Sequence, residues 1–551
     1  SNSFCTLLVC CGQRSIMVLL NLRCVSLAFV IAAAGVVVAT VPTPGDVCFT
    51  SRSVHSAPVG DPNTVPKLTT DEAAAAFHAT RLDWVYTTDA AFVANASANG
   101  LPVTAAINAN VPDKLTGPAT YKIGRIVNLT GSPLTAPWMW GFSKTNPPYY
   151  GCVNNPEYTD GVLFPRALAL LKMGASGLQH DDPHVNAEAV HWKHGGCYCD
   201  HCMAKFTTYA SERGLLPHGE NATTFDYKQY LLERGGYGRG DTTLRVGFEA
   251  FQFDSAVAYQ RRLRAYLDAE MGRPVAMSCN NGATLWDNVT SVFDFGMGEL
   301  AHADCTPDRL RSLLLEEPVG NVPRGKTQVV TMPKLREYPL GTPIKLLTRK
   351  AAVLTSLLAG HMLVPWDIYM PAANMPATRF YGNVSDFVDV FAWIAARGAA
   401  TVGAFPALLH TWGAGPSVVR FDVDGGNGGG APDADVYWVL RGMHESAAQR
   451  EWVIGAVDWA WPRGDSAVVW PLPTNPGTNF TVAFNVSSVV PDAATFTLAP
   501  PLSVNVSVVL KDGDVVLPEV TYSGAIVRFA APATVCGFAP FAVFRIALRW
   551  E

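Results

Sequence analysis

Residues 177 to 206, GLQHDDPHVNAEAVHWKHGGCYCDHCMAKF, carry two adjacent carboxylates, Asp181 and Asp182, at the end of an apolar run, and three cysteines fifteen residues further on. Carboxylates gathered at the mouth of a fold are what cleavage of a glycosidic bond needs. One group protonates the leaving oxygen, and another attacks the anomeric carbon or activates water. Cys197, Cys199 and Cys202 read C-x-C-x-x-C, a spacing at which thiolates converge on one tetrahedral ion. A structural zinc site then needs a fourth ligand from elsewhere in the chain. His180, His184, His191, His194 and His201 share the stretch, and His180, Asp182 and His184 form a candidate catalytic-metal triplet.

Other apolar runs also end in polar residues: Asn280 with Asn281, Glu299 with His302, Lys334, and Trp366 with Asp367. Asp182 is the first candidate for one catalyst. It is the last carboxylate before Pro183, which cannot donate to a ladder and so helps end the strand. Asp181 competes with it, since alternation sends only one of the two inward. Glu299, at the end of the run Phe293 to Gly298, is the expected partner and proton donor. His180, Asn281, Trp366 and Asp367 are the expected substrate contacts, the indole as a platform for a sugar ring and the carboxylate for sugar hydroxyls. Each residue type also packs cores, caps helices or forms turns, so the set carries more weight than its members.

These residues need a frame. Strand-like runs at Val47 to Val54, Leu82 to Tyr86, Pro102 to Asn108, Ala175 to His180, Pro274 to Cys279, Val292 to Gly298, Thr327 to Met332 and His361 to Trp366 alternate with helix-like segments. Eight strand and helix pairs predict a (β/α)8 barrel over residues 44–405, whose functional groups stand at the C-terminal ends of the strands. An open doubly wound sheet is the alternative, but no Gly-rich phosphate fingerprint follows the early strands, and nothing points to an organic cofactor. Past residue 405 the period changes to short alternating runs, Val436 to Leu440, Trp452 to Val457, Phe480 to Phe484 and Val504 to Leu510, separated by turn clusters such as 424–430. This predicts an all-β sandwich over 406–551.

Upstream of the cysteine triplet stands Tyr150-Gly-Cys152-Val-Asn-Asn-Pro-Glu157-Tyr158, and the later element reads Cys197-Tyr198-Cys199-Asp200-His201-Cys202. The two segments, in this order around the fourth strand, resemble glycoside hydrolase family 42, the microbial β-galactosidases. The resemblance implies a barrel with a structural zinc ion held by Cys152, Cys197, Cys199 and Cys202 beside the cleft. Disulfide pairing of Cys152 with one of the later three is the alternative in a secreted protein, and Cys279 and Cys305 could form another bridge. The family's catalysts do not carry over. Its Asn-Glu pair at the fourth strand end is replaced by Gln179-His180-Asp181-Asp182-Pro183, and its nucleophilic glutamate at the seventh by Thr331-Met332-Pro333-Lys334. The nearest carboxylates, Asp181 or Asp182 on strand four and Glu299 on strand six, form a pairing that resembles α-galactosidase-type barrels.

Composition narrows the partners. With 49% hydrophobic and 16% charged residues the 551-residue chain supports a large core, and a net charge of -5 gives no basic field for nucleic acid. From Met17 the chain reads MVLLNLRCVSLAFVIAAAGVVVATVPTPG, with Arg23 ahead of an apolar run, which predicts a secretory leader over 1–43. The alternative is an uncleaved N-terminal anchor, the one expected membrane contact. Sequons at Asn95, Asn128, Asn221, Asn288, Asn383, Asn479, Asn485 and Asn505 accord with secretion. Three function classes remain: a secreted glycoside hydrolase acting on an oligo- or polysaccharide, an inactive barrel that binds carbohydrate, and a metal-dependent hydrolase of another class. The sequence sets no oligomeric state.

Overall fold

The computed structural model describes residues 41–50, 74–111, 123–137, 149–282, 286–316, 325–333, 338–363, 386–423, 433–443, 449–463, 468, 477–490, 500–536 and 540–550. Residues 1–40 of the expected leader, Lys334, Trp366 and Asp367 lie outside them. No described helix is long and apolar enough to cross a membrane.

Eight parallel strands, β1 (Cys48–Phe49), β2 (Arg81–Val85), β3 (Val103–Ile107), β4 (Gly177–His180), β5 (Ala276–Asn280), β6 (Phe295–Glu299), β7 (Thr327–Thr331) and β8 (His361–Met362), lie side by side in chain order. Strands buried on both faces read as almost continuous apolar runs, and Val103–Ile107 is buried at every position. The sheet wraps around its own interior. Cys48, Trp84, Ala106, Phe295, Met297, Val329 and Leu363, contributed by strands from both ends of the order, form one buried cluster. The His361 imidazole on β8 also meets the Asp46 carbonyl ahead of β1 at 3.3 Å. The (β/α)8 expectation therefore holds, each strand falling on its predicted run.

Around the strands lie α1 (Ala90–Ala98), α2 (Phe164–Lys172), α3 (Asp200–Glu212), α4 (Tyr227–Glu233), α5 (Thr242–Met271), α6 (Pro307–Leu315), α7 (Ile344–Leu357) and α8 (Val388–Arg397). Asp89 caps α1 by accepting the Ala91 and Phe92 N–H groups. One expected pair is missing: among the described residues the β5–β6 connection holds a single 3-10 turn, Thr290–Val292. The long α5 supplies the cover. Arg264 on α5 donates to the Val275 and Val292 carbonyls at 3.2 and 3.0 Å and pairs with Asp294 at 3.1 Å, so one helix clamps the entry to both strands.

The C-terminal region is the expected all-β unit. Strands β9 (Ala407–Thr411), β10 (Val419–Val423), β11 (Val436–Gly442), β12 (Gln449–Asp458), β13 (Phe480–Asn485), β14 (Ser503–Leu510), β15 (Gly513–Val516), β16 (Val520–Ser523), β17 (Ile526–Ala531) and β18 (Phe541–Arg549) make two antiparallel sheets. One has six strands in the order β9-β11-β12-β18-β14-β15, the other four in the order β10-β13-β17-β16. Alternation along β13 buries Phe480, Val482 and Phe484 between the sheets. The six-stranded sheet packs on the barrel helices: Trp393 of α8 donates to the Val509 carbonyl at 2.9 Å, and Arg441 of β11 to the Leu357 carbonyl of α7 at 3.0 Å.

The barrel interior also holds charge. Arg81 and Asp83, side chains 2% and 0% exposed, form a two-pronged pair at 2.6 and 2.9 Å, and the Thr104 hydroxyl donates to Asp83 at 2.7 Å. Removing one member strands the other charge in a dry interior. Asp83→Ala should therefore cost about 3–5 kcal/mol in denaturant unfolding. Pairing it with Arg81→Met should recover much of that loss, and a single variant as stable as wild type would contradict this account.

Candidate functional site

Alternation along the strands decides which residues reach the barrel mouth. On β6, Phe295 and Met297 belong to the interior cluster, so Glu299, of the same parity, follows them into the mouth. On β4, Gln179 meets Ser278 of β5 inside the barrel, so Asp181 faces inward next. On β5, Asn280 has the parity of Ser278, and its amide donates to Asp181 Oδ1 at 2.9 Å. Tyr86 completes the ring, its hydroxyl donating to Asp181 Oδ2 at 2.5 Å. It faces inward because β2 is irregular: the register against β3 shifts between Leu82 and Val85, and Trp84 has φ +58°. A bulge of this kind re-aims the residues after it. Val85 turns to the helix layer and Tyr86 to the mouth.

Asp181 accepts a third bond, from the Asp182 N–H at 3.1 Å. Burial pushes its carboxyl above the ordinary range; Tyr86 and Asn280 oppose that shift and the charge of Glu299 adds to it. Asp182 is pushed well above, first by burial, then by the charges of Asp181 and Glu188, with a hydrogen bond from Tyr150 opposing and Glu299 adding a smaller push. Asp181 thus feels Glu299, and Asp182 feels Asp181, Glu188 and Glu299, at one end of the barrel. Asp182 itself sits in the left-handed region at φ +54°. Of the two aspartates, it is Asp181 that meets Tyr86 and Asn280.

The remaining expected residues lie elsewhere. His180 is fully buried against the helix layer, its ring nitrogens 2.9 Å from the Asp181 carbonyl and 3.1 Å from the Tyr259 hydroxyl of α5. Burial lowers its pKa to about 4, so the imidazole is neutral. Asn281, of the opposite parity to Asn280, forms a reciprocal amide pair with Gln328 of β7, at 2.9 and 3.0 Å, on the helix-facing side of the strands. That pair requires Gly296 beside it, where a Cβ would come within 2.5 Å of both amides. His184 pairs with Asp287 at 2.6 Å. Burial pushes the Asp287 carboxyl up, but His184 and Thr290 hold it at about 2. His180, Asp182 and His184 are therefore not gathered on a common point. Tyr86 and Glu188 are residues that sequence reasoning missed, and parity counted from Ser278 would have chosen Asn280 over Asn281.

Beside the mouth, Cys152, Cys197, Cys199 and Cys202 converge, their sulfurs all within 4.8 Å of one another. They are the only potential metal-ligand group of this kind among the described residues. Cys152 Sγ lies 3.6 Å from Cys199 Sγ and 3.5 Å from Cys202 Sγ. A disulfide would bring two sulfurs to about 2.05 Å, whereas four sulfurs about 2.3 Å from a central ion stand about 3.8 Å apart. The donor set fits a tetrahedral thiophilic cation. All four are free thiols, as are Cys279 and Cys305, so neither of the alternative disulfides is present among them. Cys199 precedes α3 and Cys202 stands in its first turn. Hydrogen bonds from Cys152, then Cys197 and Cys202, hold the Cys199 thiol far below its usual range, with burial opposing.

No family model and no curated protein matches the chain. Solved structures do. The cycloisomaltooligosaccharide glucanotransferase of Paenibacillus sp., complexed with cycloisomaltoheptaose, is 10% identical with a TM-score of 0.50, over 91% of this chain and 85% of that one. That likeness is one of fold, a barrel followed by β domains. The α-amylase of Geobacillus thermoleovorans, complexed with acarbose, is 9% identical over 91% of this chain and 98% of its own, with a TM-score of 0.40. A β-galactosidase from Rahnella sp. R3 is 12% identical over 60% and 52%, with a TM-score of 0.39.

The electrostatics of Asp182 have a signed consequence. A carboxyl whose folded pKa is raised holds its proton where the unfolded chain has released it, so ionisation costs stability. The cost is absent below the unfolded pKa of about 3.9 and grows as pH rises toward the folded value. Asn also tolerates a left-handed backbone better than most residues. Asp182→Asn should therefore raise the melting temperature at pH 7 by about 2 °C or more, with the charge-derived gain vanishing near pH 3. A thermal scan across pH with no gain at pH 7 would contradict the burial of this charge.

Proposed function

We propose that this protein is a secreted glycoside hydrolase that uses Asp181 and Glu299 as its catalytic pair. The observation that carries the proposal is their placement: two carboxylates from β4 and β6 on the inward parity of a barrel mouth, within each other's electrostatic reach. Asp181 accepts hydrogen bonds on both oxygens from Tyr86, Asn280 and the Asp182 N–H, which offset part of the burial penalty on its ionised form. Its role is to stabilise the positive charge that develops at the anomeric carbon. Glu299 donates the proton to the departing glycosidic oxygen, and a water molecule adds to the anomeric carbon, its proton passing to a carboxylate of the pair. Glu188 and Asp182 add negative potential that favours the cationic transition state over the neutral substrate. Trp366 and Asp367 supply ring stacking and hydroxyl contacts in this reading.

The test is a reducing-sugar assay over a broad polysaccharide panel. Asp181→Asn and Glu299→Gln should each lower turnover by at least about a hundredfold, the low end for loss of a general acid or base. The acid limb of the wild-type profile should fall at a pH above the ordinary carboxylate range, because Asp181 must be ionised and its surroundings raise its pKa. Near-normal turnover in either variant would remove that residue from the mechanism. A wild type that binds glycans without turnover would make the barrel a binding module instead.

The thiolate cluster is proposed to hold structural zinc. Four protein thiolates leave the ion no open position for water, so it ties the loop after β3 to the loop after β4 and takes no part in bond cleavage. Metal analysis should find close to one zinc per chain, and Cys199→Ser should lower the melting temperature by several degrees, about 2–4 °C for each 1 kcal/mol lost. Protein that is folded and free of zinc after purification without chelators would end this reading.

A further inference from the structure

Asn186 stands on the turn that follows Asp181 and Asp182, and it is fully buried. Its amide nitrogen lies 3.4 Å from Cys152 Sγ, 3.4 Å from Cys202 Sγ and 3.2 Å from Gln252 Oε1, while its Oδ1 accepts the Val153 N–H at 2.9 Å. Asn154 approaches from another side. Its amide nitrogen lies 3.3 Å from Cys202 Sγ and 3.0 Å from Ser255 Oγ, and its oxygen accepts Lys205 Nζ at 3.3 Å.

A thiol is a weak acceptor, and a buried amide N–H directed at one forgoes the bond it would make with water. Amides placed on Cys152 and Cys202 are better matched to thiolates. Four thiolates around a divalent cation form a dianion, and a buried dianion needs donors arranged around its sulfurs. Lys205 extends the arrangement, since its cation polarises the Asn154 amide toward Cys202.

The chain between the carboxylates and Asn186 is bent in a way that must be enforced. Asp182 has φ +54° and Val185 φ +42°, and a β-branched residue rarely adopts the latter. Such conformations persist where their surroundings impose them. Here one restraint is the Asn186 side chain on the sulfurs and the other is Gln260, which donates to the Pro183 carbonyl at 2.7 Å.

We infer that Asn186 is a positioning residue that joins the thiolate metal centre to the loop carrying Asp181, donating to two metal-bound sulfurs while holding the turn that sets the carboxylate. The inference rests on the zinc reading above. Cobalt(II) is a suitable probe for the apo full-length chain, because thiolate coordination gives it an intense charge-transfer band. The variants are Asn186→Asp, which keeps an acceptor for Val153 but removes the donors, Asn186→Ala, and Asn154→Ala.

Chelator competition should show cobalt binding weakened about tenfold to a hundredfold in both Asn186 variants, with an unchanged circular dichroism spectrum. Hydrogen exchange at 181–186 should rise when metal is stripped from wild type, and should stay raised in Asn186→Ala even with metal bound. Affinities within about twofold of wild type, or exchange at 181–186 indifferent to both metal and Asn186, would overturn the inference. Should the Asn186 variants not fold, wild-type exchange and Asn154→Ala still decide it: the latter must lose affinity, and the former must respond to metal. Failure of the metal reading is distinct, since wild type would then show no thiolate–cobalt band.

Discussion

The short span from Asp181 to Asn186 is held at both ends by groups distant in sequence, and the arrangement of the site follows from that. At one end, Asp181 is fixed by Tyr86 from β2 and Asn280 from β5. At the other, Asn186 reaches two sulfurs and the Val153 backbone in the loop after β3. The intervening residues include a proline and two left-handed backbones, so the span has little freedom to move one end without the other. A carboxylate placed this way is oriented before any ligand arrives, which is what electrostatic catalysis needs of its charged groups.

The polar groups of the barrel fall into two kinds. Arg81 with Asp83 and Gln179 with Ser278 satisfy one another inside the barrel, and Asn281 with Gln328 on its helix-facing side. They are the ordinary outcome of burying polar side chains, each matched to a partner. Asp181 and Asp182 differ. Burial and the charges of neighbouring carboxylates raise both, and the donors that reach them offset only part of the penalty. Carboxylates crowded with like charges at the end of a barrel cost stability, and such sites are where function concentrates.

The same reasoning separates what covers the strands from what fills them. α5 replaces a missing crossover helix because Arg264 satisfies carbonyls at the entry to two strands at once. The six-stranded sheet of the C-terminal unit closes over α7 and α8, burying Leu357 against Gly455, where a side chain would have no room. That packing leaves the strand ends of the barrel to the loops that carry Asp181, Asn280 and Glu299.

The barrel, the β sandwich and the cysteine cluster were legible in the chain itself, because each rests on a local signal. Buried parallel strands announce themselves as apolar runs of strand length, the C-terminal unit by its change to short alternating runs, and the cysteines by their spacing and adjoining motif. The inward identity of Asp181, the choice of Asn280 over Asn281, and the burial of His180 against α5 were decided only by the tertiary structure. Each depends on register, and register depends on which strand lies alongside and on a bulge at Trp84 that no local pattern marks. Asn186 was equally hidden, since an asparagine on a polar loop carries no trace of sulfurs that only folding brings within its reach.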